Sequence, residues 1–373
     1  MKYGLGLDHD ALDNEMIDLD DISGYERLDP SGLNRRLHSL PAQCDQAWLE
    51  AKKTDIPDGW RQCTEVIVAG MGGSAIAGNL AADLIAPLSG TSIRVVHDFS
   101  IPGISANSRQ LVVACSFSGE TEETISMFNH AQSVGVSMAA IVGGGTMSRL
   151  ATNAGIPIMN VDAPGEPRSA VGCNLMLLAS LLNSIGAISL TDANVAAAVA
   201  AAESMVSQVG VEVPTETNPA KQLAKDLQGG LSVVYGGGSL SGMALRWKSQ
   251  INENGKSWAF AEVLPELFHN SVESFPTSPE IKQRTTALLL RPHQTTPELG
   301  ERYDVIAETL NGFGIKNRTF TGVSGGGLAQ SLAMMVLGDH VTYYMGLLNE
   351  INPSETPSID LSKKLLSGQH GSF

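Results

Sequence analysis

Two doubly wound α/β domains with parallel sheets are predicted for this 373-residue chain by three features of its sequence. Apolar runs of strand length alternate with helical segments, the pattern of parallel strands covered on both faces. In "EVIVAGMGGSAIAGNL", from Glu65, a β-branched run stops at a glycine cluster and a serine, and a helix follows at once. The same order returns in "LSVVYGGGSLSGMALRWKSQINENG", from Leu231, which points to an internal duplication.

Each element follows from local composition. Residues 1–30 are acidic and glycine-containing and read as an N-terminal arm, either flexible or wrapped on the surface. From Ser31, "SGLNRRLHSLPAQCDQAWLEAKK" reads as a helix that opens a first domain over 31–190. Its strands are "EVIVAG", "IRVVHD", "QLVVACS", "SMAAIVGG" and "IPIMNV". Between them "SAIAGNLAADLIA" and "TEETISMFNHAQSVG" read as helices, and "RSAVGCNLMLLASLLNSIG" as a helix apolar enough to be buried. The Ala-rich "DANVAAAVAAAESM" reads as a linking helix within 191–215. A second domain over 216–350 carries "LSVVYGGG", "TTALLLR", "KNRTFTG" and the apolar "GLAQSLAMMVLGDHVTYYMGLLNEI". A helix near "SIDLSKKLL" and a tail fill 351–373.

Composition narrows the function. Apolar residues make up 43% of the chain, enough for a substantial core, yet no stretch has the length and purity of a membrane span. The acidic N-terminus lacks the basic-then-apolar order of a signal peptide, so a cytoplasmic protein with no membrane partner is expected. A net charge of −15 argues against nucleic acid as a partner and requires any anionic substrate to be held by local donors. Cys44, Cys63, Cys115 and Cys173 form no C-x-x-C pair and read as buried thiols. The eight histidines form no H-x-x-x-H pair, and no metal is expected.

The glycines at 70, 72 and 73 let the backbone turn and approach a ligand, and the helix after them aims N–H groups at that point. By itself such a cluster fits a bare bend, a dinucleotide site with Asp98 on the ribose, or a phosphate site. The third strand favours a compact phosphate monoester. It ends in "CSFSGETEET", where Ser116, Ser118 and Thr121 set three hydroxyls at a strand's carboxyl end and Gly119 permits the bend. One hydroxyl is expected to cap the helix that follows.

"GMGGSAIAG" and "SFSGETEET" resemble the two best-known segments of the sugar isomerase (SIS) domain. Phe117 and Glu120 depart from the usual S-Y-S-G-N-T, and Glu120 sets a carboxylate close to the expected phosphate. "APGEPRSAVG", "RWKSQINENGKSWAF", "LPELFHN", "LGDHVTYYMGLL" and "TPSIDLSKKL" follow in order. They resemble successive segments of the bifunctional phosphoglucose/phosphomannose isomerase family. The resemblance implies two SIS domains with five-stranded sheets and an isomerase of glucose 6-phosphate or mannose 6-phosphate and fructose 6-phosphate. It implies neither cofactor nor metal, and a phosphate held by Gly73, Ser74, Ser116, Ser118 and Thr121. A catalytically silent sugar-phosphate binder is the alternative.

Such an isomerase opens a sugar ring, removes a proton from carbon 2, stabilises an enediolate and returns the proton to carbon 1. Glu253 in "NENG" is expected at a helix end with Gly255 as the C′ residue. There the helix dipole opposes its charge and favours proton uptake. Alone it would be a surface glutamate; the resemblance makes it the base. Arg168 follows "PGEP" and alone would pair with Glu166; the resemblance sets its cation on the enediolate. His269 in "ELFHN" alone would be structural. The resemblance gives it ring opening and supplies it to the partner subunit's site, which implies a homodimer with shared active sites. Lys363 matches the family's C-terminal lysine, with Lys364 one register away, and Thr356 matches a pocket residue near carbon 2.

Overall fold

The computed structural model describes residues 17–85, 90–106 and 108–368, so the first 16 residues of the expected arm lie outside the described chain. Residues 17–30 pack onto the fold, as a wrap would and a flexible arm would not. Leu19 and Leu28 are buried beside the short helix α1 (Tyr25–Leu28), and the Tyr25 hydroxyl donates to the Leu19 carbonyl at 2.6 Å. The single helix expected from Ser31 breaks into α2 (Leu33–His38) and α3 (Leu40–Ala51). Pro41 causes the break: it has no N–H to extend the α2 ladder but is tolerated in the first turn of α3.

The first sheet holds β1 (Glu65–Gly70), β2 (Ser92–Val96), β3 (Gln110–Ser116), β4 (Ser137–Val142) and β5 (Ile158–Asn160), all parallel, in the order β2-β1-β3-β4-β5. Helices α4 (Gly72–Ala82), α5 (Glu122–Val134) and α6 (Gly145–Asn153) follow β1, β3 and β4. Alternate strand residues feed two cores. Val66, Val68, Leu111 and Val113 share one with Ile76 and Leu80 of α4, while Ile67, Val112 and Ala114 pack with Met127 and Phe128 of α5. The chain steps from β1 out to β2 and then back to β3 on the other side. That reversal opens a crevice at the carboxyl ends of β1 and β3, where ligands of such sheets bind.

Three helices, α7 (Val171–Ser184), α8 (Asp192–Val209) and α9 (Pro219–Leu227), lead to the second sheet. α7 is buried at every residue from Val171 to Leu182, as its predominantly apolar sequence requires, and takes Asn174 and Ser180 into the core with it. The second sheet has β6 (Leu231–Gly237), β7 (Ala259–Leu264), β8 (Thr285–Arg291) and β9 (Lys316–Thr321), parallel, in the order β7-β6-β8-β9. This repeats the first sheet up to β4. Helices α10 (Ser241–Glu253), α11 (Pro279–Arg284) and α12 (Pro297–Gly312) lie between its strands.

Five strands were expected in both sheets; the second has four. After β9 the chain enters α13 (Gly327–Leu348), buried from Leu328 to Leu348 on all faces. An apolar run of that length meets its own backbone hydrogen bonds as a helix and does not return as a strand. The chain ends in α14 (Pro357–Leu366). Among the described residues no helix is long and apolar enough to cross a membrane.

The two halves meet where α4 packs on α10. A Cβ at Gly242 would lie 2.7 Å from Asn79 backbone atoms, so only glycine fits. The Gly242 N–H donates to Asp83 Oδ2 at 2.8 Å. Burial pushes the Asp83 carboxyl up to about 7, against the pull of that hydrogen bond. A raised carboxyl contributes stability that is complete below its ordinary value of 3.8 and is lost as pH rises through 7. Asp83→Asn keeps an acceptor for Gly242 without the charge. It is expected to raise the urea midpoint over wild type more at about pH 8 than at about pH 5; an equal gain at both would count against the argument.

Candidate active site

The glycine turn lies at the end of β1. A Cβ at Gly70 would fall 2.6 Å from the Cys115 carbonyl oxygen, and Gly72 has φ +49°. A Cβ at Gly73 would fall 3.0 Å from the Pro167 carbonyl and 3.1 Å from the Arg168 nitrogen. The turn therefore presses directly on the segment that carries Arg168. Met71 occupies the N-cap of α4 without a side-chain cap, which leaves the Gly72 and Gly73 N–H groups uncovered by any side chain.

The hydroxyl residues sit on the adjoining turn. Ser74 is buried, and its Oγ accepts from the Phe117 N–H at 3.0 Å, which ties the two turns together. Ser116 Oγ accepts from the Gly119 N–H at 3.0 Å and donates to Thr121 Oγ1 at 3.2 Å. The exposed Ser118 accepts from the Glu120 N–H at 3.2 Å. The expected cap does not form: Thr121 is at the N-cap of α5 but makes no side-chain cap bond. Glu120 turns away from this space to the start of α6. Its carboxylate accepts from the Thr146 N–H at 2.7 Å and hydroxyl at 2.9 Å, and these bonds hold it below the usual carboxylate range.

Arg168 lies in the 3-10 turn Pro167–Ala170 and is 4% exposed. Its Nε donates to Asn254 Oδ1 at 2.6 Å, and one terminal nitrogen donates to the Pro353 and Ser354 carbonyls at 2.8 and 2.5 Å. The other terminal nitrogen stands 3.6 Å from the Glu253 carboxylate. Glu166, the partner expected from sequence alone, pairs instead with Arg36 at 2.9 Å. Behind Arg168, Arg246 donates to the Arg168 carbonyl at 2.8 Å and to both Asp339 oxygens at 2.8 and 2.9 Å. This buried Arg246–Asp339 pair, missed in the sequence, fixes the backbone from which Arg168 projects.

Glu253 is the last residue of α10, and its side chain is 27% exposed. The residue with left-handed backbone beyond it is Lys256, at φ +51°, rather than Gly255. Gly255 is needed for space, since a Cβ there would lie 2.8 Å from the Ile251 carbonyl. The Lys256 ammonium donates to the carbonyls of Glu253 and Glu355. Thr356, half-buried, comes next at the start of α14.

Two expected residues stand apart. His269 is exposed in the turn Glu266–His269 beyond the carboxyl end of β7, whereas Glu253 precedes the amino end of that strand. A strand of this length spans roughly 20 Å. Lys363 and Lys364 are exposed on α14, and among the described residues no hydrogen bond or ion pair joins them to the Arg168 cluster. Nor does any group of three or more His, Cys, Asp or Glu side chains there form a metal site.

Two α/β lobes with matching strand order, and a glycine turn pressed on the segment of a buried arginine beside a hydroxyl-lined turn, define a SIS-fold protein. Solved structures share the fold. A hypothetical protein of Thermus thermophilus aligns with TM-score 0.71 and 16% identity over 92% of each chain. The C-terminal domain of glucosamine-fructose-6-phosphate aminotransferase from Francisella tularensis aligns with TM-score 0.72 and 14% identity, over 87% of this chain and 98% of that one. Residues 216–366 match the bacterial phospho-glucose isomerase C-terminal SIS domain. The bifunctional phosphoglucose/phosphomannose isomerase of Caldicellulosiruptor bescii is 29% identical over 332 residues, 89% of this chain and 98% of that protein. Its counterpart in Aquifex aeolicus is 29% identical over 304 residues, 81% and 90% of the two chains. Over most of its length the chain is similar to the bifunctional phosphoglucose/phosphomannose isomerases, the family that its motifs resemble.

Proposed function

We propose that this chain is a cytoplasmic aldose–ketose isomerase that interconverts glucose 6-phosphate and mannose 6-phosphate with fructose 6-phosphate through a cis-enediolate. The observation that carries this reading is the Arg168–Glu253 pair at 3.6 Å, with the Arg168 backbone pressed against the glycine turn at Gly73. The phosphate binds the N–H groups and hydroxyls of Gly73, Ser74, Ser116, Ser118 and Thr121, local donors that offset the acidic surface. Glu253 takes the proton from carbon 2 and returns it to carbon 1. The fixed cation of Arg168 stabilises the enediolate oxygens. Ring opening falls to His269 and Lys363, and Thr356 borders the pocket near carbon 2.

Purified protein given fructose 6-phosphate in heavy water is expected to form both aldose phosphates with deuterium at carbon 2. Tight calorimetric binding without turnover would identify a silent binder instead. Ser74→Ala removes one phosphate donor and the acceptor for Phe117. It is expected to raise KM about tenfold with kcat nearly unchanged; a fall in kcat alone would take Ser74 out of phosphate binding.

His269 needs a second copy to reach a Glu253. β7 is an edge strand, and Trp258, 74% exposed, stands beside it with Phe260, ring centroids 6.0 Å apart. A two-fold axis beside β7 brings each His269 toward the other copy's Glu253, and the exposed aromatic pair supplies apolar area for the contact. Mixing Glu253→Gln with His269→Ala under subunit exchange is expected to restore about one quarter of wild-type activity. Half of the dimers are then hybrids, and each hybrid has one intact site. No recovery would place both residues' work within one chain.

A further inference from the structure

We propose that Lys256 is a positioning residue of this site, whose ammonium clamps the Glu253 end of α10 to the Glu355–Thr356 segment that opens α14. The role rests on the isomerase reading above and adds a residue that the motifs did not single out. A side chain with φ +51° is disfavoured backbone, and glycine is the residue that adopts it freely. A lysine is kept here for what its ammonium reaches. One bond, to the Glu253 carbonyl, is what any cation at a helix end makes. The second, to the Glu355 carbonyl 99 positions away, is not.

Lys256 acts beside Arg168, which donates to the two preceding carbonyls, Pro353 and Ser354. Two cations thus hold three successive carbonyls of a segment with no helix or strand of its own. That segment ends at Thr356, so the clamp sets the distance between Thr356 and the proton-transferring carboxylate. The charged groups facing Lys256 are Arg168 and Glu166 from the Pro167 turn and its approach, Glu253 from α10, and Glu355. Burial, with Arg168 adding to it, pushes the ammonium down to about 8. Deprotonation therefore weakens the clamp in mildly alkaline solution, since a neutral amine is a poorer donor.

The test follows kcat and KM against pH for wild type, Lys256→Met, Lys256→Arg and Lys256→Gly, with amide exchange over residues 353–358. Lys256→Met is expected to lower kcat at least about tenfold with KM within about threefold, and to speed exchange of 353–358. Lys256→Gly, which relieves the backbone, is expected to hold its melting temperature and still lose kcat. Wild-type kcat is expected to fall above about pH 8, and Lys256→Arg to hold its activity to higher pH, because a guanidinium keeps its proton. Wild-type kcat and unchanged exchange in Lys256→Met would overturn the proposal, as would the same alkaline fall in Lys256→Arg. If the wild type turns over no sugar phosphate, the isomerase reading fails, and the exchange of 353–358 in Lys256→Met still decides the clamp.

Discussion

Glu253→Gln is expected to lower kcat for both aldose phosphates by about 10³-fold, with KM within about threefold of wild type. The amide matches the carboxylate in shape and keeps an oxygen toward Arg168, so the cluster stays packed. It cannot take up a proton, and carbon 2 then has no base. The proposed phosphate-binding residues lie on the other lobe, on the β1 and β3 turns, and are untouched. In the reverse direction, from fructose 6-phosphate in heavy water, deuterium at carbon 2 of the aldose phosphates should vanish with turnover. A variant that keeps more than about a tenth of wild-type kcat would remove Glu253 from proton transfer.

Arg168→Ala is expected to act on both chemistry and stability. The guanidinium bonds Asn254 and the carbonyls of Pro353 and Ser354 and faces Glu253, all with 4% of the residue exposed. Alanine leaves these neutral acceptors without donors, at roughly 1–3 kcal/mol for each that stays buried. Loss of the enediolate cation costs a further 10²–10³-fold in kcat, by about the same order as one oxyanion donor. Arg168→Lys keeps the charge but cannot present the planar fork to several acceptors, and it should recover little of either loss. Calorimetric melting and initial rates measure the two effects separately. Full stability with lost activity would show that the 353–354 segment does not depend on Arg168.

Much of the first lobe was legible because its signals are local. "VIVAG" and "QLVVACS" are apolar runs of strand length, and the glycines at 70, 73 and 119 mark close approaches that leave no room for a side chain. The duplication was legible in the repeated order of strand, glycines and helix. The break at Ser39 was missed because a helical period runs across it, although Pro41 was the available signal. β7 was missed because "AFAEVL" has a single β-branched residue and carries Glu262. Glu120 looked misplaced beside a phosphate only because nothing local tells that Thr146 at the start of α6 will take it.

The sequence by itself determined eight of the nine described strands, the buried helices and the two glycine turns, and it named the residues proposed to bind phosphate or move a proton. Those follow from composition and spacing within a few residues. Only the tertiary structure decided that Arg168 meets Asn254, 86 positions on, and Pro353, 185 positions on, and that the edge strand β7 runs between Glu253 and His269. It also decided that Lys256 bridges two segments and that Arg246 and Asp339 hold the site from behind. Such contacts close long loops, and they are fixed by how whole helices pack around the core, which no short window of sequence encodes.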